Sequence, residues 1–320
     1  MTRLLLFSVL FLFIGINEPR AQTIFPSKPV RLIVGFPPGG ANDLLARLVG
    51  AKMQDAWGQT VIVENKPGAN AIIGTELVAK SPADGYTLLI GASGAMTFNP
   101  GLYDKLPYDP QRDFAPVTML GSFPLVLAVN PALPAQSVKE LAALARASPD
   151  KLNYGAGSTP FQLAAELFKL QAGLRISHIP YKGSAATVSA VIANDVQLTF
   201  VDAPPAVAQI RGGRLRALAV TSRARAPVLP EVPTMIEAGM QDYEVVLWTS
   251  LFAPAGTPRP VLEALHAQAV KALQAPDVRE RMAALGVDPV GNTPEQLSAI
   301  LRADLEKWTA VAKNAGVKAP

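Results

Sequence analysis

The chain contains no cysteine in 320 residues and only two histidines, His178 and His266. The first absence removes disulfides, thiolate nucleophiles and cysteine-ligated zinc together. The second leaves too few imidazoles for a histidine-built metal centre, and without a clustered acidic triplet no metal site is expected. Charge is scarce as well: 17% of residues are charged, with a net +4. Arg211, Arg214 and Arg216 cluster, as do Arg223 and Arg225, but they lack interleaved aromatics or a continuous basic helix. They read as solvated surface, so no nucleic-acid partner is expected. The phosphate-binding pattern G-x-x-x-x-G-K-[ST] is missing. Gly155, Ala156 and Gly157 are followed by Pro160 where a dinucleotide fingerprint needs glycine or alanine, so no nucleotide cofactor is expected.

Long apolar runs are confined to the start. Arg3 precedes the almost wholly apolar stretch from Leu4 to Ile16, followed by a polar break with Pro19 and the small Ala21. Thirteen residues are too few to span a bilayer but suit a secretory signal peptide ending near Ala21. Residues 1–21 are therefore set aside, and a soluble, exported chain beginning at 22 is expected, with its lack of cysteine compatible with the periplasm. Loss of Arg3, Arg20 and Glu18 lowers the net charge by one.

What remains is rich in apolar residues, 49% of the whole, enough for a large core and about two lobes. From Val30 to Phe252 strand-like and helix-like segments alternate, the pattern of an α/β fold with a largely parallel sheet. Predicted strands are 30–34, 61–64, 87–90, 117–119, 125–130, 152–155, 175–179, 196–201, 215–220 and 248–253. Predicted helices between them include 43–57, 138–147, 161–171 and 187–192. After Phe252 only helices follow, at 258–273, 277–285 and 294–315. The last opens with Thr293, Pro294, Glu295, Gln296, a capping box with proline at the first helical position. Its apolar face, including Leu297, Leu301 and Trp308, is expected to cover the first lobe's sheet. The chain should build one lobe from 22–124 and 248–320 and a second from 125–247, with 125–130 and 248–253 as hinge strands.

Two loops carry the chemistry. In the first, the strand Val30–Val34 runs into Phe36, Pro37, Pro38, Gly39, Gly40, Ala41, Asn42, Asp43 before a helix. Glycines without side chains let a ligand reach the main chain, and free amides at a helix start favour a carboxylate. In the second, Gly157, Ser158, Thr159 and Pro160 open a helix after Leu152–Gly155. Thr159 reads as the N-cap with Gln162 completing a capping box, and both hydroxyls are potential ligand donors. Opposed loops of this kind suggest a ligand with carboxylates held between two lobes at strand carboxyl ends. Ser93, in the small-residue run Gly91–Gly94, Asp202 with Ala203 at a further strand-to-helix turn, and the turn Lys66–Asn70 fit the same cleft. Asp43 and Asp202 are read first as helix caps.

These phrases also occur together and in order: Val34–Asp43, Asn65–Ala69, Asp84–Thr87, Gly157–Pro160, Tyr181–Gly183 and Leu251–Pro258. Over essentially the whole mature chain they resemble a Bug-type receptor, the TctC-like solute-binding component of tripartite tricarboxylate transporters. The resemblance implies a two-lobed periplasmic binding protein of type II, each lobe a mixed sheet flanked by helices. It further implies a monomer that closes on a small mono- or dicarboxylate through Phe36–Asp43 and Gly157–Thr159, with bridging waters, and passes it to a membrane permease or a sensor. The ligand-binding set expected is Phe36, Pro38, Gly39, Gly40, Ala41, Asp43, Ser93, Gly157, Ser158, Thr159, Asp202 and Ala203. Gln162 stands where histidine is common, and Asn70, Ala71, Ile72 depart from the family's Gly, Gly, Asn pattern.

One enzymatic alternative comes from Gly91, Ala92, Ser93, Gly94, Ala95, which approximates a nucleophile elbow after a strand. A secreted serine hydrolase built on Ser93 would need His178 or His266 as its base.

Overall fold

The computed structural model describes residues 25–318, so the leader at 1–21 lies outside the described residues. In chain order the elements are β1 (Val30–Val34), α1 (Ala41–Trp57), β2 (Val61–Asn65), α2 (Ile72–Ala79) and β3 (Thr87–Ala92). A π-helical turn (Gly94–Phe98) then runs into α3 (Asn99–Leu102) and the long β4 (Phe114–Val129). Next come α4 (Val138–Ala147), β5 (Asn153–Ala156), α5 (Thr159–Ala172), β6 (Ser177–Pro180), α6 (Ser184–Ala193), β7 (Leu198–Asp202), α7 (Ala203–Arg211) and β8 (Arg216–Val220). The chain closes with β9 (Val246–Pro254), α8 (Arg259–Gln274), α9 (Pro276–Ala284), β10 (Asp288–Pro289) and α10 (Pro294–Ala315).

The strands are ordered β2-β1-β3-β9-β4-β7-β5-β6, with β8 and β10 also paired to β4. β4 belongs to two sheets. Its first part, to Pro124, pairs antiparallel with β9, and its last five residues, from Leu125, pair with β7 and β8. Each sheet mixes parallel pairs (β1 with β2 and β3; β5 with β6 and β7) with antiparallel ones. The molecule is therefore a two-lobed α/β protein whose sheets share one strand.

Sequence periodicity accounts for most of these elements. β1 is apolar at nearly every position because helices cover both faces; Val30, Leu32, Ile33 and Val34 have no exposed surface. α1 starts where Gly40 supplies an extended N-cap and stops at Gly58 in the left-handed region (φ +64°), which glycine adopts without strain. α10 carries the expected capping box, with Thr293 Oγ1 accepting from Gln296 N and Thr293 N donating to Gln296 Oε1. Its Leu297 and Leu301 join Ile33, Leu89 and Phe252 in one buried cluster, so the helix covers the first sheet as expected. Trp308 stacks on Phe98 at 4.1 Å and pins α10 to the π-helical turn.

Three expectations are corrected. The predicted strands 117–119 and 125–130 are one continuous β4, because no proline or glycine interrupts its pairing for long. The predicted hinge 248–253 lies inside β9, which among the described residues pairs with β3 and β4 in the first sheet. The chain returns to that sheet at Val246, immediately after Val245 bonds Thr221 of the second lobe. The helix α5 begins at Thr159, so Ser158 is the N-cap, without a side-chain cap, and the expected Thr159/Gln162 capping box does not form.

Candidate ligand-binding cleft

Five turns meet where the two sheets face each other. The β1–α1 loop and the turn after β3 come from the first lobe. The turns after β5, β6 and β7, which open α5, α6 and α7, come from the second. All leave the carboxyl ends of strands, where open α/β sheets bind ligands. Together they enclose a chamber of about 60 Å³. Phe36, Pro38, Gly40, Ala41, Asp43, Ser93, Gly157, Ser158 and Asp202 line it.

Three residues of the expected set lie outside the wall. Gly39 is exposed, and its amide donates to Asp43 Oδ2 at 3.1 Å. Thr159 is buried, and its Oγ1 donates to Asn99 Oδ1 at 3.0 Å across the lobes. Ala203 has no exposed surface and lies beside Gly286. The turn Lys66–Asn70 is also absent from the chamber; Pro67, Gly68, Ala69 and Asn70 line an outer groove of about 350 Å³ that shares Phe36, Pro37 and Lys182 with it.

The wall also contains residues that sequence reasoning did not assign to the site. Lys182, Ser184 and Ala185 belong to the turn that opens α6. Their signal was present: a glycine, Gly183 at φ +82°, precedes a serine after a strand, the arrangement already noted at Gly39 and Gly40. Phe123, Phe161, Leu247 and Trp248 arrive by tertiary folding and carry no local signal.

Helix starts dominate the electrostatics. The amides of Asn42 and Asp43 on α1, Phe161 on α5, and Ser184 and Ala185 on α6 have no hydrogen-bond partner among the described residues. Neither α5 nor α6 carries an acidic residue in its first turn, so their positive ends are left for an anion. Lys182 adds a cation at the rim.

The α1 end differs, because the chain's own carboxylates already answer part of it. Burial pushes the Asp43 carboxyl up, but Arg47, Asn65 and the Gly39 amide outweigh this and hold it below the usual range. The Ala41 amide donates to Asp202 Oδ2 at 3.0 Å, so an acid of the second lobe caps a helix of the first. Asp202 is therefore not the simple cap of α7 that its position suggested. Burial raises its pKa, and contacts with Ser184, the Ala41 amide and its own amide offset only part of the rise.

Further contacts across the lobes close the chamber. A Cβ on Gly94 would meet Pro160 Cγ at 2.8 Å, so only glycine admits this approach. Pro37 packs close to Gly183 at the chamber's edge.

A family model described as the tripartite tricarboxylate transporter family receptor matches residues 45–317. The chain belongs to this receptor family. The receptor is 38% identical to the protein BugT of Bordetella pertussis over 324 residues, covering 99% of each chain. Among solved structures it resembles an R. palustris protein with adipate, at TM-score 0.89 and 35% identity, covering 92% of this chain and 99% of that one. It also resembles MatC of Rhodopseudomonas palustris with bound malate, at TM-score 0.85 and 31% identity, covering 90% of this chain and 99% of that one.

The receptor does not assemble a hydrolytic site at Ser93. Its backbone is ordinary right-handed helical (φ −49°, ψ −37°) rather than a strained elbow, and its Oγ lies 3.4 Å from the Trp248 amide. His178 stacks on Tyr154 in the second lobe, and His266 Nε2 lies 3.1 Å from the Asn292 carbonyl. Neither lines the chamber. Four of the five arginines in the basic clusters are spent locally: Arg223 pairs with Glu244, Arg225 with Glu237, and Arg211 and Arg216 donate to backbone carbonyls, while Arg214 is exposed.

Proposed function

We propose that this chain is a periplasmic receptor that captures a small mono- or dicarboxylate between its lobes and delivers it to a tripartite tricarboxylate-type permease, without catalysing a reaction. The observation that carries the reading is the convergence of three helix starts, with free amides and no acid in the first turns of α5 and α6, on one chamber between the lobes. Relatives whose structures hold adipate and malate support a carboxylate as the cargo. The anion is gripped chiefly by α5, α6, Lys182 and the Ser158 hydroxyl, with Asn42 and Asp43 amides of α1 facing it from the first lobe. Lobe boundaries at 22–124 with 246–320, and 125–245, are supported at 124/125 by the change of partners along β4 and at 245/246 by the return of β9 to the first sheet, two residues before the expected 248. The leader at 1–21 accounts for export, and a monomer suffices because both walls come from one chain.

A thermal-shift screen of mono-, di- and aromatic carboxylates tests this. A ligand that binds only the folded state raises the melting temperature, by an amount set by its concentration over its Kd. Ser158→Ala should weaken binding of the responding acid with the fold intact. No shift with any carboxylate at millimolar concentration would sink the reading.

A further inference from the structure

The chamber holds one acid with an unfinished hydrogen-bond complement. Asp202 is 3% exposed and sits where β7 meets α7. Its Oδ2 accepts from the Ala41 amide, while its Oδ1 is buried with no partner. A buried carboxylate oxygen without a donor is costly, and the simplest remedy is a proton, which turns the oxygen into a donor in need of an acceptor. A cargo carboxylate is such an acceptor. Asp202 lines the chamber that a cargo carboxylate would enter, and neighbouring carboxylates shielded from water share a proton rather than both ionise.

Among the described residues no other acid at the chamber is free for this role. Asp43, across the cleft on α1, is committed to Arg47, Asn65 and the Gly39 amide. Lys182 stands exposed at the rim. Of the elements packed on β7, α5 carries Glu166 and Lys169, which bond each other, and Glu166 also takes the Tyr154 hydroxyl. α7 carries Arg211, bonded to the Val228 carbonyl; β5 carries Tyr154, whose hydroxyl is the one spent on Glu166, and β4 and α6 carry no ionisable group. Among the described acids that line the chamber, Asp202 is thus the one left with an uncommitted oxygen.

We infer that cargo binding takes up one proton, held between Asp202 Oδ1 and a carboxylate oxygen of the ligand, and that the receptor therefore loads more tightly as pH falls. The inference rests on the carboxylate reading above. In the step a proton passes from solvent to Oδ1, and the new O–H donates to the ligand; no other bond forms or breaks. A receptor built this way binds best where the surrounding medium is acidic, and releases cargo more readily where it is not.

Calorimetric titration of the full-length mature protein with adipate and with succinate, in two buffers of different ionisation enthalpy from pH 5 to 9, tests it. Above about pH 7 these acids are almost fully ionised in water, so a buffer-dependent heat there reports protons taken up by the complex. The expected result is an uptake approaching one proton and a Kd that rises up to tenfold per pH unit over part of the range. Asp202→Asn, whose amide donates without titrating, should bind with no uptake and no slope above about pH 7; if that variant does not fold, the wild-type buffer pair decides alone. Zero uptake across the range, especially with aspartate preferred to succinate, would overturn the inference and make Asp202 a charged acceptor for a donor on the ligand. Failure of every carboxylate to bind would overturn it together with the reading on which it rests.

Discussion

Gly157→Ala adds a single methyl group where the second lobe has no room for one. A Cβ at this position would overlap the carbonyl group of Gly183 and lie 2.8 Å from Thr187 Oγ1. The backbone there is already fixed, since Gly183 N donates to Gly157 O at 3.0 Å and Tyr181 N to Ala156 O at 2.9 Å. Relief requires the β5–α5 and β6–α6 turns to part by about 1 Å. Overpacking of this kind costs about 1–3 kcal/mol. Alanine's smaller unfolded-state entropy returns about 0.4–1 kcal/mol of it, leaving a loss of about 1–2 kcal/mol. The melting temperature should fall by about 2–6 °C. The same movement misaims amides of α5 and α6, and losing one hydrogen bond to a charged ligand costs about 1.5–3 kcal/mol, roughly ten- to a hundredfold in Kd. Thermal melts and calorimetric titration with whichever acid the screen identifies measure both. Gly40→Ala is the contrast: its Cβ would meet Asp202 Oδ2 at 3.7 Å and Ser184 Oγ at 3.9 Å, ordinary contacts, so its melt should stay within about 2 °C of wild type. A Gly157→Ala protein that melts and binds as wild type would refute the reasoning, because it would mean the two turns yield freely.

Other consequences are equally open to measurement. Trp308→Ala removes a side chain with 1% exposure stacked on Phe98, and denaturant unfolding should show a loss of about 3–5 kcal/mol. Asp43→Asn tests the sign of a depressed carboxyl: the wild-type advantage, about 1–2 kcal/mol, should hold above pH 5 and vanish as pH drops through the folded-state pKa. A gap that persisted at pH 2 would place the effect in packing instead. Asp202→Asn should behave oppositely, since a raised carboxyl favours the fold below its unfolded pKa and loses that contribution as pH rises. The variant should melt above wild type at pH 8 and not at pH 4; equal melts at both would refute it.

Where apolar spacing is strong the elements were legible in the sequence: β1 and α4 match the expected bounds, and α10 starts and ends where Thr293 and Ala315 placed it. Misses fall where local rules give way to long-range pairing. Nothing in 114–129 announces one strand in two sheets, because Pro116 and Pro124 look like boundaries, yet the ladder shifts register past the first and changes partners after the second. α2 and the π-helical turn went unread, both short and bounded by small residues, while α7 was anticipated only by the strand-to-helix turn at Asp202 that opens it. At the cleft, glycine and helix-start chemistry pointed to the β1–α1 and β5–α5 loops, both of which line the chamber in part. Thr159 was misplaced by one residue of helix register, which turned its hydroxyl toward Asn99. Asp202 meeting Ala41 lay beyond any local pattern, since 161 residues separate them.

The strand Phe114–Val129 acts as a common beam through both halves of the molecule. Sliding one half along or away from the other would break its ladder, so the halves have freedom only to swing about the beam near Pro124 and Leu125 and about the return crossing at Val245 and Val246. Side chains on such a beam alternate between faces, so inserting one residue between Phe123 and Leu125 would turn every inward group of one half outward while leaving the other undisturbed. The beam's length and parity are thus as much a part of the receptor's specification as the amides that meet the cargo.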